Sequence, residues 1–148
     1  MALMDKIRHL PVRVVTGAYI LHAGIDKLQA DDDTSKGLHG MASAAFPQLE
    51  RVPPDRFVRG LAVGEIAVGS ALLAPVVPAT LAGGALTAFS GALVALYART
   101  PRLRRPGSIW PSPDGMAISK DAWMLGIGAS LMAGGLANRR AKRRAERD

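Results

Sequence analysis

Apolar segments alternate with short polar segments along this chain, and the longest apolar stretch predicts membrane-spanning helices. No charged residue occurs between residues 66 and 98, which is well beyond the roughly 18 apolar residues that indicate one span. Pro75 and Pro78 interrupt this stretch. Because proline breaks or kinks a helix, we predict two spans joined by a tight turn, at about residues 57–74 and 79–98.

Two shorter apolar segments predict the outer spans of the same bundle. Residues 12–28 and 121–137 carry few charged side chains, and these lie mostly at the segment ends. We therefore predict an all-α fold, an integral membrane four-helix bundle formed by residues 1–138. Residues 139–148 would follow it as a basic cytoplasmic tail.

The loop between the first two spans has a helical pattern of its own. Its apolar residues recur at the spacing of one helix face: Leu38, Met41, Ala42, Ala45, Phe46 and Leu49. Thr34 or Ser35 is a suitable N-cap for such a helix. We predict a short interfacial helix here, lying either on the membrane surface or on the bundle.

Small residues recur at every fourth position within the spans, which predicts close helix packing. The third span has Gly83, Thr87, Gly91 and Ala95, the fourth has Ala122, Gly126, Ser130 and Gly134, and the second has Gly60 and Gly64. Such stripes let helix backbones approach in lipid, where van der Waals contact drives association. Chance recurrence in a chain rich in alanine and glycine is the alternative interpretation.

Composition and charge narrow the function classes. The chain has no cysteine, so disulfides, thiol catalysis and thiolate metal sites are excluded. Its net charge of +7 suits either nucleic acid or anionic lipid. The basic residues lie at the ends of apolar segments and not among stacking aromatics, so we expect no nucleic-acid partner. We expect anionic lipid headgroups to bind the tail at Arg139, Arg140, Lys142, Arg143 and Arg144.

Four spans place both termini on one side of the membrane. The dense basic tail makes that side cytoplasmic by the positive-inside rule, so we predict a multi-pass protein of the plasma (inner) membrane. Trp110 and Trp123 lie near the ends of spans, which fits anchors at the membrane interface.

Glu65 is a carboxylate placed deep in the second span, about 12 Å from its start at 1.5 Å per residue. Inserting a charge at this depth costs roughly 2.5–3.5 kcal/mol. Glu65 therefore has to face the bundle interior, find a partner or be protonated. His22, Lys27 and Lys120 are the candidate partners, because all are expected toward the same membrane face. The carboxylate is either a packing device between helices or a site that handles protons or a ligand.

The charged residues near this face form the candidate site, a predicted buried polar cluster. Its members are Glu65, His22, Asp26, Lys27, Arg59, Lys120 and Asp121. Ordinary snorkelling at helix ends is the alternative for the flanking charges, and a local pair between His22 and Asp26 competes with a His22–Glu65 contact.

Signatures of catalysis and metal binding are missing from the sequence. No second histidine lies at the depth of His22, so we predict no metal site. The chain has no P-loop, G-x-G-x-x-G, HExxH or G-x-S-x-G pattern and no nucleophile with a base beside it. We therefore predict no catalytic residue, and the sequence favours a protein without a catalytic centre of its own.

Short motifs occur in a fixed order at the ends of the spans. The first span ends in GAYILHAGIDKL, the second contains GEIAVGSALL, and the fourth opens with SKDAWMLGIG after a loop that reads RRPGSIWP. The residues that define these motifs are Gly24, Lys27, Leu28, Glu65, Gly69, Lys120 and Asp121. In these motifs, and in their order over nearly the whole chain, the sequence resembles the DoxX family of integral membrane proteins, especially its actinobacterial members.

The resemblance implies a four-helix membrane bundle and an association with redox chemistry. The family's namesake relatives resemble the small membrane subunit of thiosulfate:quinone oxidoreductase, and other members are associated with oxidative-stress and sulfur redox complexes. Because this chain has no cysteine, any redox reaction would need a quinone or a partner subunit.

Three hypotheses for the function follow from these observations. The leading one is an accessory subunit of a cell-envelope complex that docks an unidentified protein partner and holds no cofactor. The first alternative is a quinone-linked oxidoreductase subunit, in which Glu65 and His22 handle protons at the quinone. The second alternative is a binder of lipid or small solutes.

Overall fold

The structure, a computed structural model, describes the backbone of residues 2–146 and the side chains of residues 9–146. The last two residues of the predicted tail, Arg147 and Asp148, lie outside the described residues. The helices are α1 (Ala2–Leu28), α2 (Asp32–Ala45), α3 (Pro54–Leu73), α4 (Ala79–Arg99), α5 (Met116–Ser119) and α6 (Asp121–Ala145). Within residues 2–146 there is no strand, only an isolated bridge between Arg104 and Pro111. The all-α prediction is confirmed.

The four long helices cover the four predicted spans to within one residue, but they differ in apolar content. Only Ala79–Arg99, among the helices that the structure describes, is both long and apolar enough to cross a membrane. Helices α1, α3 and α6 have 27, 20 and 25 residues, so their length suffices and their composition does not. Helix composition alone therefore gives no support to a multi-pass location.

Prolines fix the turn between α3 and α4. Helix α3 ends at Leu73, two residues before Pro75, because the residue that precedes a proline is biased away from helical geometry. Pro78 is the N-cap of α4, where the missing N–H costs no intrahelical hydrogen bond. The predicted division of the apolar stretch at these prolines is confirmed.

The bundle consists of two closely packed helix pairs. Helix α1 packs mainly on α3, and α4 packs mainly on α6, while α3 and α4 join the pairs and α1 barely contacts α6. A central apolar cluster lies between the pairs and includes Ile20, Val68, Leu72, Ala82, Leu86 and Leu131.

A second apolar cluster closes one end of the bundle and explains the loop helix. It contains Ala42, Ala45, Leu96 and Leu103, with Met41, Phe46, Leu49, Phe57, Tyr97 and Ile118 packed against it. The predicted apolar stripe of α2 therefore lies on the bundle. The N-cap prediction was wrong: Asp31 caps α2, and its carboxylate accepts a hydrogen bond of 2.8 Å from the Thr34 N–H.

The small-residue stripes pack only in part. Gly83 of α4 faces α6, where an added Cβ would lie 2.7 Å from the Gly128 carbonyl oxygen. The stripe predicted for α6 does not face α4, since Gly126 has open space around it. The buried face of α6 consists of Gly128, Leu131 and Gly135, which are spaced by three and four residues and follow the helical repeat.

The glycine pair predicted in the second span makes no close contact. An added Cβ at Gly60 or Gly64 would meet nothing within 4 Å. The close contact of α3 lies instead at Gly69, where an added Cβ would meet the Gly17 carbonyl oxygen of α1 at 2.8 Å.

Candidate functional site: a buried ion pair between α1 and α3

Glu65 lies on the face of α3 that packs against α1, and its side chain pairs with Lys27. The residue is 7% exposed, and the Lys27 Nζ is 3.0 Å from its Oε1. Gly24 makes this contact reachable, because an added Cβ there would be 2.9 Å from the Glu65 Cβ. The two backbones therefore approach closely one turn before Lys27. Of the three candidate partners, Lys27 is the one that the structure places at Glu65.

Asp121 adds a second carboxylate to this site. It is the first residue of α6, is partly buried, and lies within electrostatic range of both Glu65 and Lys27. The three side chains, here named the Lys27–Glu65–Asp121 group, therefore hold two acids for one ammonium. The Glu65 Oε2 is buried and has no hydrogen-bond partner among the described residues. The ion pair joins α1 to α3, and the free Oε2 can hold a proton or receive a donor group from a ligand.

The other members of the predicted cluster lie at the surface of the protein. His22 pairs with Asp26 at 3.4 Å, and their side chains are 77% and 64% exposed. Arg59 and Lys120 are also exposed. The structure therefore pairs two of the seven predicted residues directly, Lys27 and Glu65, and places a third, Asp121, within electrostatic range of them. His22 matches Glu65 in depth but not in direction, since five residues separate it from Lys27, or about 140° around a helix of 3.6 residues per turn.

Arg13 makes a polar contact between α1 and the end of α3 that the sequence analysis did not find. Its guanidinium donates hydrogen bonds to the carbonyls of Leu72, Ala71 and Ala74, at 2.8, 3.0 and 2.8 Å. It also donates to the Val77 carbonyl at 3.1 Å. These acceptors are the free carbonyls at the end of α3 and in the following turn, where a cation is favoured. The signal was an arginine inside an apolar segment, opposite a helix that ends before a proline.

A shallow groove follows the open seam between α1 and α6. Its volume is about 310 Å³, and its walls include His9, Val12, Trp123, Gly126, Ile127 and Ser130. The His9 Nε2 is buried and has no hydrogen-bond partner in the described part of the chain. The groove is largely apolar and is built from the same two helices that supply Lys27 and Asp121.

No metal centre is present among the described residues, since no three histidine, cysteine or acidic side chains converge there. No protein-family model, curated protein or solved structure matches the chain. The resemblance to the DoxX family therefore stays a prediction, and the chemistry of the surface and interior carries the functional proposal.

Proposed function

We propose that the chain is an integral protein of the plasma membrane with four spans, and that it serves as an accessory subunit that docks a partner protein. The observation that carries this proposal is the apolar outer surface of the bundle. Val15, Tyr19, Val63, Leu81 and Trp123 are each at least 60% exposed and are distributed over all four long helices. Large apolar side chains that face outward on all four long helices suit a lipid environment, since lipid tails are as apolar as leucine.

The position of the charges supports the same proposal. The Lys27–Glu65 pair is turned inward, whereas large apolar side chains on the same helices are turned outward. Ionisable residues within membrane spans face the bundle interior and pair with one another. The internal pair and the close glycine contacts also explain how helices of modest hydropathy could enter a bilayer together as a bundle.

The accessory role rests on what the interior contains. The buried Lys27–Glu65 pair joins α1 to α3 inside the bundle, so it acts as a contact between helices. The resemblance to the DoxX family, whose members accompany redox complexes, favours a docked partner in the envelope. The exposed basic end of α6, with Arg139, Arg140, Lys142, Arg143 and Arg144, would hold anionic headgroups on the cytoplasmic side.

Membrane integration and orientation can be tested together. We expect the protein to stay in the membrane pellet after alkaline carbonate washing. Single cysteines in the cysteine-free chain report sidedness: Ala145→Cys and Ala2→Cys should react from the cytoplasm, and Thr34→Cys and Ser112→Cys from the opposite side. Release by carbonate would refute integration, and reaction of position 34 from the cytoplasm alone would reverse the orientation.

A quinone-linked subunit is the second candidate, and the seam between α1 and α6 favours it. The groove there could take an apolar tail, and the unpartnered His9 Nε2 in its wall could bond a head group, whereas Glu65 does not line it. Purification in mild detergent separates the candidates. Gly126→Leu would fill the groove. A stoichiometric quinone that co-purifies with the original protein and is lost in this variant supports the quinone-linked subunit. A different bound lipid supports a lipid binder, and a co-purifying protein supports the accessory role.

A further inference from the structure

The segment that follows α4 folds into an ordered hairpin. Leu103 is fully buried in the second apolar cluster, and the Ser112 N–H donates to its carbonyl at 2.9 Å. The Tyr97 hydroxyl at the end of α4 donates to the Ile109 carbonyl at 2.7 Å. The hairpin is therefore fixed to the end of the most apolar helix in the bundle.

An open basic cavity of about 300 Å³ lies against this hairpin. Its walls include Arg104, Arg105 and Ser108, and no acidic residue lines it. The turn closes through Gly107, whose φ of 67° is a left-handed conformation that glycine adopts without a steric penalty. The result is a concave site with two guanidinium groups.

The two arginines differ in the hydrogen bonds that they already make within the protein. The Arg105 Nε donates to the Pro111 carbonyl at 3.2 Å, which fixes this side chain along the hairpin. The Arg104 Nε is buried and has no partner among the residues that the structure describes. Because a buried polar group without a hydrogen bond costs free energy, an anion that accepts from Arg104 would stabilise the site. Planar guanidinium groups bind phosphate oxygens in a bidentate manner.

The level of the cavity relative to a membrane indicates which molecule would supply the phosphate. The cavity begins two residues after α4, the helix that is apolar and long enough to span a membrane. Beside it, Ile109 and Trp110 are 77% and 68% exposed. Tryptophan is enriched at the level of lipid headgroups, so these side chains would enter the interface and hold the cavity at headgroup depth.

We propose that this hairpin cavity binds the phosphate of an anionic phospholipid headgroup through Arg104 and Arg105. The inference rests on the membrane location proposed above. It concerns the end of the bundle opposite the basic tail, so it is a site distinct from the tail. Two guanidinium groups without a neighbouring carboxylate favour an anionic headgroup over a zwitterionic one, whose amine they would repel.

The two tryptophans of the chain make the test direct. Trp123→Phe leaves Trp110 beside the cavity as the sole tryptophan fluorophore. The protein in mild detergent is titrated with short-chain phosphatidylglycerol, with short-chain phosphatidylcholine and with inorganic phosphate. We expect saturable binding of phosphatidylglycerol that Arg104→Gln weakens by about tenfold, the size expected for loss of a charge-assisted pair.

Arg102→Gln is the matched control, because it removes the same charge from an exposed position of the same hairpin that does not line the cavity. Arg104→Lys keeps the charge and tests the bidentate geometry. If Trp110 emission without ligand shows that Arg104→Gln disturbs the hairpin, the binding measured for Arg104→Lys decides whether Arg104 holds the headgroup. We expect weaker binding by Arg104→Lys and nearly unchanged binding by Arg102→Gln.

Three results would overturn the inference. Equal losses of phosphatidylglycerol binding in Arg104→Gln and Arg102→Gln would mean that the lipid is attracted by the charge of the whole hairpin. Phosphatidylcholine binding as tight as that of phosphatidylglycerol would exclude a site for anionic headgroups. Equally tight binding of inorganic phosphate would mean a site for free phosphate. Alkaline carbonate extraction distinguishes failure of this inference from failure of the proposed function. Retention in the membrane with no Arg104 dependence refutes the cavity alone, whereas release from the membrane with Arg104-dependent binding refutes the membrane location alone.

Discussion

The α1–α3 and α4–α6 pairs bring backbones together in the same way but use polar groups differently. Gly17 and Gly69 contact each other's helices in the first pair, as Gly83 and Gly128 do in the second. Among the side chains that the structure describes, only the first pair adds charged contacts between its helices, through Arg13 and the Lys27–Glu65 pair.

Two hydroxyl groups in the middle of α4 bond within their own helix. Thr87 donates to the Gly83 carbonyl, and Ser90 donates to the Leu86 carbonyl. Among the described residues, the α4–α6 pair is therefore held by apolar and close backbone contacts, whereas the α1–α3 pair is also fixed by polar contacts at two points. Arg13 and Lys27 are 14 residues apart, or about 21 Å along α1. Because each contact is satisfied at a single alignment, together they set the register of α1 on α3.

The largest expected effect comes from breaking the charged contact. Lys27→Met leaves the Glu65 carboxylate buried without a cation, so we expect the free energy of unfolding to fall by about 3–5 kcal/mol. SDS titration in mild detergent measures it. Lys120→Met, at an exposed lysine near the same end, is the control and should change little. Equal effects of the two variants would contradict the role of the pair.

Overpacking the α4–α6 contact should have the next largest effect. In Gly83→Leu the new Cβ would lie 2.6 Å from the Met132 backbone nitrogen, and backbone cannot move aside as a side chain can. We expect a loss of about 3 kcal/mol by the same titration. Gly126→Leu inserts the same side chain into open space on α6 and should be nearly neutral. Unchanged stability of Gly83→Leu would mean that this pair is not close-packed.

Removing the second charged contact of the α1–α3 pair should cost less. Arg13→Gln loses the cation at the carbonyl end of α3, and we expect a decrease of about 2 kcal/mol. Arg139→Gln, in the exposed basic end of α6, is the control for loss of one positive charge. If hydrogen exchange at the end of α3 is the same in both variants, Arg13 does not cap that helix.

The smallest effect is expected outside both pairs, at the N-cap of α2. Hydrogen bonds from the Thr34 hydroxyl and N–H lower the pKa of Asp31. A pKa lowered in the folded state means that this stabilisation is present above the unfolded pKa and is lost as pH falls through the folded pKa. Asp31→Ala should therefore increase hydrogen exchange in α2 at neutral pH and have no further effect at strongly acidic pH. Asp32→Ala, one residue later, is the control.

The sequence predicted where the individual helices lie, but it did not predict which neighbouring helix each helix face contacts. The uncharged stretch and its prolines located α3 and α4, and the apolar stripe located α2, because these signals are local. The stripe at Gly126 failed because every fourth position drifts around a helix, so a stripe does not say which neighbour it faces. Gly128 and Gly135 face α4 only because of where α6 sits in the bundle.

The candidate site shows the same division. The cost of burying Glu65 predicted an inward carboxylate with a partner, which is a statement about depth. Choosing among His22, Lys27 and Lys120 required the rotation of α1 and α6, which depends on the Gly24 contact and the central core. The contact of Arg13 was overlooked because its acceptors are backbone carbonyls. Every residue has such a carbonyl, so the sequence does not show which ones are free to accept.

The central claim is that the Lys27–Glu65 pair acts as one unit that fixes α1 on α3, and a double-mutant cycle tests it most directly. Unfolding is measured by SDS titration for Lys27→Met, Glu65→Leu and the double variant. The double variant removes both charges and should recover stability to within about 1 kcal/mol of the original protein, because a buried pair can be replaced by apolar residues at little cost. A double variant that loses the sum of the two single effects would show that the side chains act independently, and would contradict this account.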